Sequence, residues 1–241
     1  MSTPPAALRG PVVVAWSSGK DSAHALHVLR TAWGAEVVGL LTTVNARAGR
    51  VAMHAVRESL LRQQAEAVGL PVHVVPIPSP CSNEAYEAAM AVAVRELCGQ
   101  GVRHVAFGDL FLEDVRAYRE RQLRGTGLAP LFPLWGRDTG ALAGEMQAAG
   151  VRATLTCVDP RVVPAELAGR SWDAALVRAL PAGVDPCGER GEFHTFVTDG
   201  PAFRTPVAVQ AGEVVERDGF VFADLVPVPG QGARSGIGGT E

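Results

Sequence analysis

Apolar residues fall into two rhythms along the first half of this chain. Val12, Val13, Val14, Ala15 and Trp16 form an unbroken apolar run, the pattern of a strand buried on both faces of a parallel sheet. Ala23, Leu26 and Leu29 then share one face at helical spacing, which predicts a helix over 21–30. The alternation repeats. Strands are predicted over 36–44, 71–77 and 104–107, and helices over 51–68, 83–98 and 113–123. Gly69 and Gly99 stand just past two of these helices, Asn83 is placed to cap one, and Gly108-Asp109 closes the fourth strand.

Strand–helix repetition of this kind implies βαβ units with right-handed crossovers, hence an α/β fold on a doubly wound parallel sheet. Such sheets bind ligands beyond the C-terminal ends of strands, where strand order reverses. Residues 17–22 and Gly108-Asp109 both follow strands in this way. From about residue 128 the texture changes, with prolines at 130, 133, 160, 164, 181, 186, 201 and 206 between short elements. A helix over 139–149, a strand over 152–158, a short helix over 171–180 and a strand over 193–197 are predicted there. The expected organisation is a first domain over 1–127, a smaller α+β lobe over 128–228, and a Gly-rich flexible tail over 229–241. No internal repeat stands out.

Composition narrows the class. The 241 residues are 47% hydrophobic and 20% charged, enough to bury a full core. A formal net charge of -3 disfavours non-specific nucleic-acid binding. No run approaches the roughly 18 apolar residues of a membrane span, and Met1–Pro5 lacks the features of a signal peptide. Cys81, Cys98, Cys157 and Cys187 form no C-x-x-C pair, which fits inert thiols in a reducing compartment and gives no support for structural zinc. The expected setting is cytoplasmic, with no membrane partner; a homo-oligomer is left open.

One count changes the picture. Of 22 lysines and arginines, 21 are arginine, and Lys20 is the sole lysine. A compact ammonium on a flexible stem differs from a planar guanidinium. It sits in Trp16-Ser17-Ser18-Gly19-Lys20-Asp21-Ser22, a strand–turn–helix junction where free N–H groups and the helix dipole favour an anion. Ser17, Ser18 and Ser22 add hydroxyls, and Asp21 could hold Mg2+ against phosphate oxygens. Neither G-x-G-x-x-G nor the Walker A pattern is present. The loop resembles the S-G-G-x-D-S motif of the ATP pyrophosphatase superfamily, which cuts ATP between its α and β phosphates. Ser18 stands where that motif has its first glycine, so the turn either keeps φ negative or accepts strain.

A second signature follows: Cys187-Gly188-Glu189-Arg190-Gly191-Glu192-Phe193-His194-Thr195-Phe196-Val197. With Phe107-Gly108-Asp109 and Pro133-Leu134-Trp135, it resembles the G-E-x-G-E-F/Y-x-T pattern of the diphthine–ammonia ligase family, over about residues 12–203. That resemblance implies an ATP-dependent amide-forming ligase that adenylates a carboxylate, releases AMP and pyrophosphate, and transfers ammonium. It implies that Ser17, Ser18, Gly19, Lys20, Asp21 and Ser22 cradle ATP and that Asp109 faces them, with Asp21 and Asp109 holding Mg2+. Gly188, Glu189, Gly191, Glu192, His194 and Thr195 would serve the acceptor and ammonium side. Lys20, Asp21, Glu189 and Glu192 are the catalytic candidates, and either glutamate can be the proton acceptor. The acceptor is a carboxylate on a protein residue or a small molecule.

Other readings stand beside these. His194 alternates with Phe193 and Phe196 on a strand and serves equally as a structural residue. His24 and His27 read as surface or packing residues. Arg116, Arg119, Arg121 and Arg124 read as a solvated helix face or a grip on an acidic protein. A non-catalytic ATP- or AMP-binding regulator is the alternative from another class. An ATP pyrophosphatase acting on a different small molecule or on RNA is a further one, although no cysteine pair is spaced for sulfur relay.

Overall fold

The computed structural model describes residues 8–228 apart from Met53. The expected tail over 229–241 lies outside the described residues. The first sheet is built around β1 (Val12–Ala15), whose lack of a polar face suits it to the centre. After α1 (Lys20–Thr31) the chain forms β2 (Val37–Asn45) beside β1, and after α2 (Glu58–Val68) it adds β4 (Val72–Ile77) on the outer edge of β2. It then crosses back through α3 (Asn83–Gly99) to β5 (His104–Ala106) on the other edge of β1. Finally α4 (Glu113–Leu123) leads to β6 (Ala129–Leu131) outside β5. These pairings are parallel, and strand order reverses between β1 and β5. The loops that leave those two strands, Ser17-Ser18-Gly19 and Gly108-Asp109, therefore stand together at the switch point.

Period-two alternation divides the core. Val13, Leu41, Val75, Val105 and Phe107 point to the layer that holds Ala93, Val94 and Leu97 of α3 and Leu123 of α4. Val12, Val14, Leu40 and Ala106 point the other way, to Leu26 and Leu29 of α1 and Leu60 and Leu61 of α2. That second cluster runs on without a break into the other lobe, through Leu155, Trp172, Phe193 and Phe196.

Four local outcomes differ from expectation. Ser82, not Asn83, caps α3, its Oγ accepting the Ala85 N–H at 3.2 Å. The helix expected over 51–68 begins at Glu58. Val51 pairs antiparallel with Val44 in the two-residue β3 (Arg50–Val51), and the chain turns back so that Val51 N–H donates to Val56 O. The short helix expected over 171–180 is α6 (Ala174–Ala179), because the Asp173 carboxylate accepts the Leu176 N–H and so caps it there. The first sheet also extends past residue 127, since β6 pairs with β5.

The second lobe contains α5 (Thr139–Ala148), β7 (Arg152–Val158), β8 (Phe193–Asp199), β9 (Val209–Arg217) and β10 (Phe220–Pro227). The strands form an antiparallel sheet in the order β8-β7-β10-β9. β9 lacks a readable apolar pattern because most of it is exposed, whereas β10 alternates between buried and half-buried positions. The turn between them did carry a signal: Asp218 and Gly219 both have positive φ, as a two-residue Asp-Gly hairpin turn requires. Among the described residues no helix is long and apolar enough to cross a membrane.

The two lobes are joined at the loop after β1. Ser18 O accepts the N–H of Val197 in β8 at 2.9 Å. Gln64 of α2, fully buried, reinforces the junction: its amide donates to Ser18 O at 3.0 Å and Val197 O at 2.6 Å, and its carbonyl accepts Trp16 Nε1 at 2.9 Å. Ser18 itself adopts φ +70, and its buried hydroxyl has no partner. Left-handed backbone at a non-glycine residue costs about 1–2 kcal/mol.

Replacing Gln64 by Ala removes three buried hydrogen bonds, strands the Trp16 Nε1–H and opens a cavity, so stability should fall by about 3 kcal/mol, or a Tm loss of roughly 6–12 °C in a thermal melt. Ser18→Gly should act in the opposite direction. Relief of strain and of the stranded hydroxyl outweighs the added unfolded-state entropy by about 1 kcal/mol, whereas Ser18→Ala keeps the strain and gains less. Equal melting curves for Ser18→Gly and Ser18→Ala would show that the φ of this residue stores no strain.

Candidate active site

The loop between β1 and α1 presents its backbone to the cleft. Gly19 is the N-cap of α1 and offers no side-chain cap, so the start of the helix dipole is open to an anion. Ser17 Oγ accepts the Gly19 N–H at 3.3 Å and lies 3.3 Å from Ser22 Oγ, and Ser22 Oγ donates to Gly19 O at 2.9 Å. The second lobe closes on this loop directly, because Thr195 Oγ1 accepts the Lys20 N–H at 3.2 Å. A Cβ on Gly19 would stand 3.3 Å from Thr195 O. Ser17, Gly19, Lys20, Asp21 and Ser22 line the cleft; Ser18 lies beneath it, wholly buried.

Lys20 is 2% exposed. Its ammonium donates to Asp21 Oδ2 at 2.8 Å and to the carbonyl of Cys187, and lies 5.3 Å from the centre of the Trp172 ring and 5.6 Å from that of Phe193. Burial works against its charge, but Asp21, with Cys187 and Glu189, more than offsets this, so its pKa lies above the ordinary lysine value. The sole lysine is thus a fixed cation, gripped by the first loop on one side and the second signature on the other.

Three carboxylates gather around the switch point. Gly108 packs so closely on the first turn of α1 that an added Cβ would stand 3.0 Å from Ser22 N, which brings Asp109 beside Asp21. Burial and the Asp21 charge raise the Asp109 pKa, although Arg119 Nε lies 3.6 Å away and opposes the shift. Glu189 reaches over from the second lobe, where its Oε1 accepts the N–H of Leu110 at 2.7 Å and of Phe111 at 3.4 Å. Burial, assisted by the charges of Asp21 and Asp109, raises its pKa to about 7 despite those hydrogen bonds.

The second signature folds as a loop cross-braced by its own carboxylates. Asp185 accepts the N–H groups of Cys187 and Glu189. Gly188 has φ +71, and a Cβ there would meet Phe193 O at 2.7 Å, so the motif requires glycine at this point. The structure separates the two glutamates of the motif. Glu189 lines the cleft, whereas Glu192 accepts the N–H groups of Asp185 at 3.1 Å and Arg190 at 2.9 Å and lines a separate, smaller cavity with Asp159 and Arg190. Gly191, at φ +84, closes the same turn. Burial raises the Cys187 thiol far above its usual range and raises Cys157 to about 11, so neither is a ready thiolate.

His194 and Thr195 enter the cleft from β8. His194 stacks on His54, with ring centres 4.4 Å apart and planes at 30°. Burial and the nearby Lys20 charge lower His194 to about 4, and burial together with His194 holds His54 well below the usual histidine range. Both are neutral at physiological pH. Sequence reasoning missed His54 because it follows the β3 hairpin and is placed beside β8 only by folding. It missed Trp172 for the same reason. His24 is a packing residue: its Nε2 lies 3.1 Å from Glu145 Oε1, linking α1 to α5.

Magnesium suits this donor set. Asp21 Oδ1 and Asp109 Oδ2 are buried without hydrogen-bond partners, and hard carboxylate oxygens beside a phosphate site match an ion bound through one or two carboxylates plus substrate oxygens. Among the described residues no group of three His, Cys, Asp or Glu side chains could hold a metal alone. The enclosing cleft has a volume of about 1160 Å3.

Two domain models of one family match this chain in succession. Residues 10–130 match the family model of the diphthamide synthase N-terminal domain, and residues 138–223 match that of its C-terminal domain. The diphthine–ammonia ligase of Danio rerio is 30% identical over 177 residues, covering 67% of this chain and 69% of that protein. Those of Rattus norvegicus (29% over 129 residues, 52% and 48%) and Bos taurus (26% over 176 residues, 67% and 66%) are also similar. The matched regions span about half to two thirds of these relatives. Two domain models in order over most of its length, joined by a cleft that unites both signatures, make the chain a member of the diphthamide synthase family of ligases.

Proposed function

We propose that this protein is an ATP-dependent carbon–nitrogen ligase that activates a carboxylate as its acyl adenylate and passes the acyl group to ammonia. The observation that carries this reading is the meeting of an anion-binding strand–loop–helix with the half-buried carboxylate of Glu189 at one switch point. Similarity to relatives named diphthine–ammonia ligase supports the reaction class.

An oxygen of the acceptor carboxylate attacks the α-phosphorus of ATP; the bond from that phosphorus to the bridging oxygen breaks, and pyrophosphate leaves with the electron pair. Ammonia then attacks the acyl carbon, the bond to the AMP oxygen breaks, and amide and AMP result. The open N-terminus of α1, with Ser17 and Ser22, binds phosphate oxygens. Lys20 supplies positive charge to the phosphate end and fixes Asp21 and the Cys187 carbonyl in register. Asp21 and Asp109 would hold Mg2+, which neutralises phosphate charge when bound. Ammonium must lose a proton before it can attack, and Glu189 is the residue suited to take it: a pKa of about 7 gives a base matched to neutral pH. Glu192 is occupied by the N–H groups of its own loop, so its role here is to shape the motif.

With ATP, ammonium and a panel of carboxylic acids, the products should be AMP and pyrophosphate; ADP and phosphate would refute the reading. Activity should rise with pH through about 7 as Glu189 ionises. Glu189→Gln should remove that rise and lower kcat by about 100-fold or more. The same variant should be at least as stable as wild type at pH 8. A carboxylate whose folded pKa is raised stabilises the fold below its unfolded pKa and loses that contribution as pH climbs through about 7, a loss that Gln does not undergo. Lys20→Arg should reduce kcat/KM about 100-fold while costing only about 1–3 kcal/mol of stability, because a guanidinium overfills the slot beside Trp172 and Phe193. Near-normal turnover by Lys20→Arg would show that any cation suffices there.

A further inference from the structure

The cleft is larger than one ligand needs. Its volume of about 1160 Å3 exceeds the roughly 300–1,000 Å3 usual for a single drug-sized molecule. Part of that space lies between α3 and α4, which cover the same face of the first sheet. α3 buries only Ala93, Val94 and Leu97, all in its second half, and α4 buries only Leu123. The gap is bridged by Gln122 Nε2 donating to Glu87 Oε1 at 2.7 Å. Tyr86 and Met90 enter the cleft four residues apart on α3, and Tyr118 and Gln122 do the same from α4. The chain has two tyrosines, and both are here.

Resting on the ligase reading above, we propose that the gap between α3 and α4 is the acceptor subsite, and that its ligand is a small carboxylic acid carrying a flat, apolar ring. The two tyrosine faces and the Met90 thioether supply the surface that ring systems prefer, and the phenol hydroxyls with the Glu87–Gln122 pair orient polar edges of the ligand. The Arg121 guanidinium lies 5.7 Å from the Tyr118 ring centre and helps to hold that ring. The loop after β1 and Thr42, Thr43 and Ile77 at the ends of β2 and β4 line another part of the same cleft, where sheets of this kind receive a nucleotide. An acid seated there would extend its carboxylate toward the phosphate loop.

The test uses the full chain and 3-(4-fluorophenyl)propionate as probe, with binding followed by fluorine NMR and ATP affinity measured separately. Tyr118→Ala should weaken the probe about tenfold, Tyr118→Phe should stay within about twofold of wild type, and ATP affinity should be unchanged in both. Acetate should bind at least about tenfold more weakly than the probe. Equal binding of acetate and probe, or an unchanged probe affinity in Tyr118→Ala, would overturn the subsite. A loss of ATP affinity in Tyr118→Ala would overturn it as well, by assigning the tyrosines to the adenine. Formation of ADP by an enzyme that still binds the probe through Tyr118 would overturn the ligase reading and with it the acceptor role, while probe binding independent of Tyr118 alongside AMP formation would overturn the subsite alone.

Discussion

The Ser18 carbonyl is the point on which the two lobes turn. It accepts the Val197 N–H of β8 and the Gln64 amide of α2 together, so the loop after β1 serves as a ledge for the second sheet. Making that carbonyl available requires the peptide to swing into left-handed backbone, and a serine bears this strain with its hydroxyl buried and unmatched. A local cost of this size is stable only where the surroundings over-determine the conformation. Here the surroundings are the fully buried Gln64 and the continuous core that runs from Val12 and Leu26 to Phe196.

Electrostatic consequences follow from that docking. Once β8 is seated, Thr195 meets Lys20 N–H, the Cys187 carbonyl meets the Lys20 ammonium, and Glu189 reaches the N–H groups after β5. One buried lysine then stands among Asp21, Asp109 and Glu189. Burial raises the pKa values of Glu189 and Asp109, the neighbouring carboxylate charges add to that rise, and negative charge around Lys20 holds its pKa above the ordinary lysine value despite burial. A magnesium ion and the proton of an ammonium are the kinds of positive charge such a site favours, although the phosphates of ATP bring their own demand for cations. The neutral His54–His194 pair near Lys20 adds no charge to this balance.

Much of the first sheet was legible because its strands are buried on both faces, leaving apolar runs that no helix face reproduces over so short a span. The helix expected over 51–68 shows the limit of that reading. The edge of β2 offered Val51 a partner, and sheet pairing prevailed over continuation of the helix toward the N-terminus. β9 shows the complementary limit, since a strand exposed along most of its length carries no alternation to read. Only its Asp218-Gly219 turn betrayed it.

The sequence by itself determined the phosphate loop, the lone lysine, the glycines of the second signature and the family, because these depend on residue type at fixed local spacing. It left open which glutamate of the motif is free, and it was silent on His54, Trp172 and the two tyrosines. Tertiary structure decided these matters. Glu189 and Glu192 are alike in sequence, but one side chain found the N–H groups of Leu110 and Phe111 across the cleft and the other found those of its own loop. Hydrogen-bond partners brought together by folding, with the burial that accompanies them, decide which carboxylate faces the cleft and which braces its own loop, and chain spacing encodes neither.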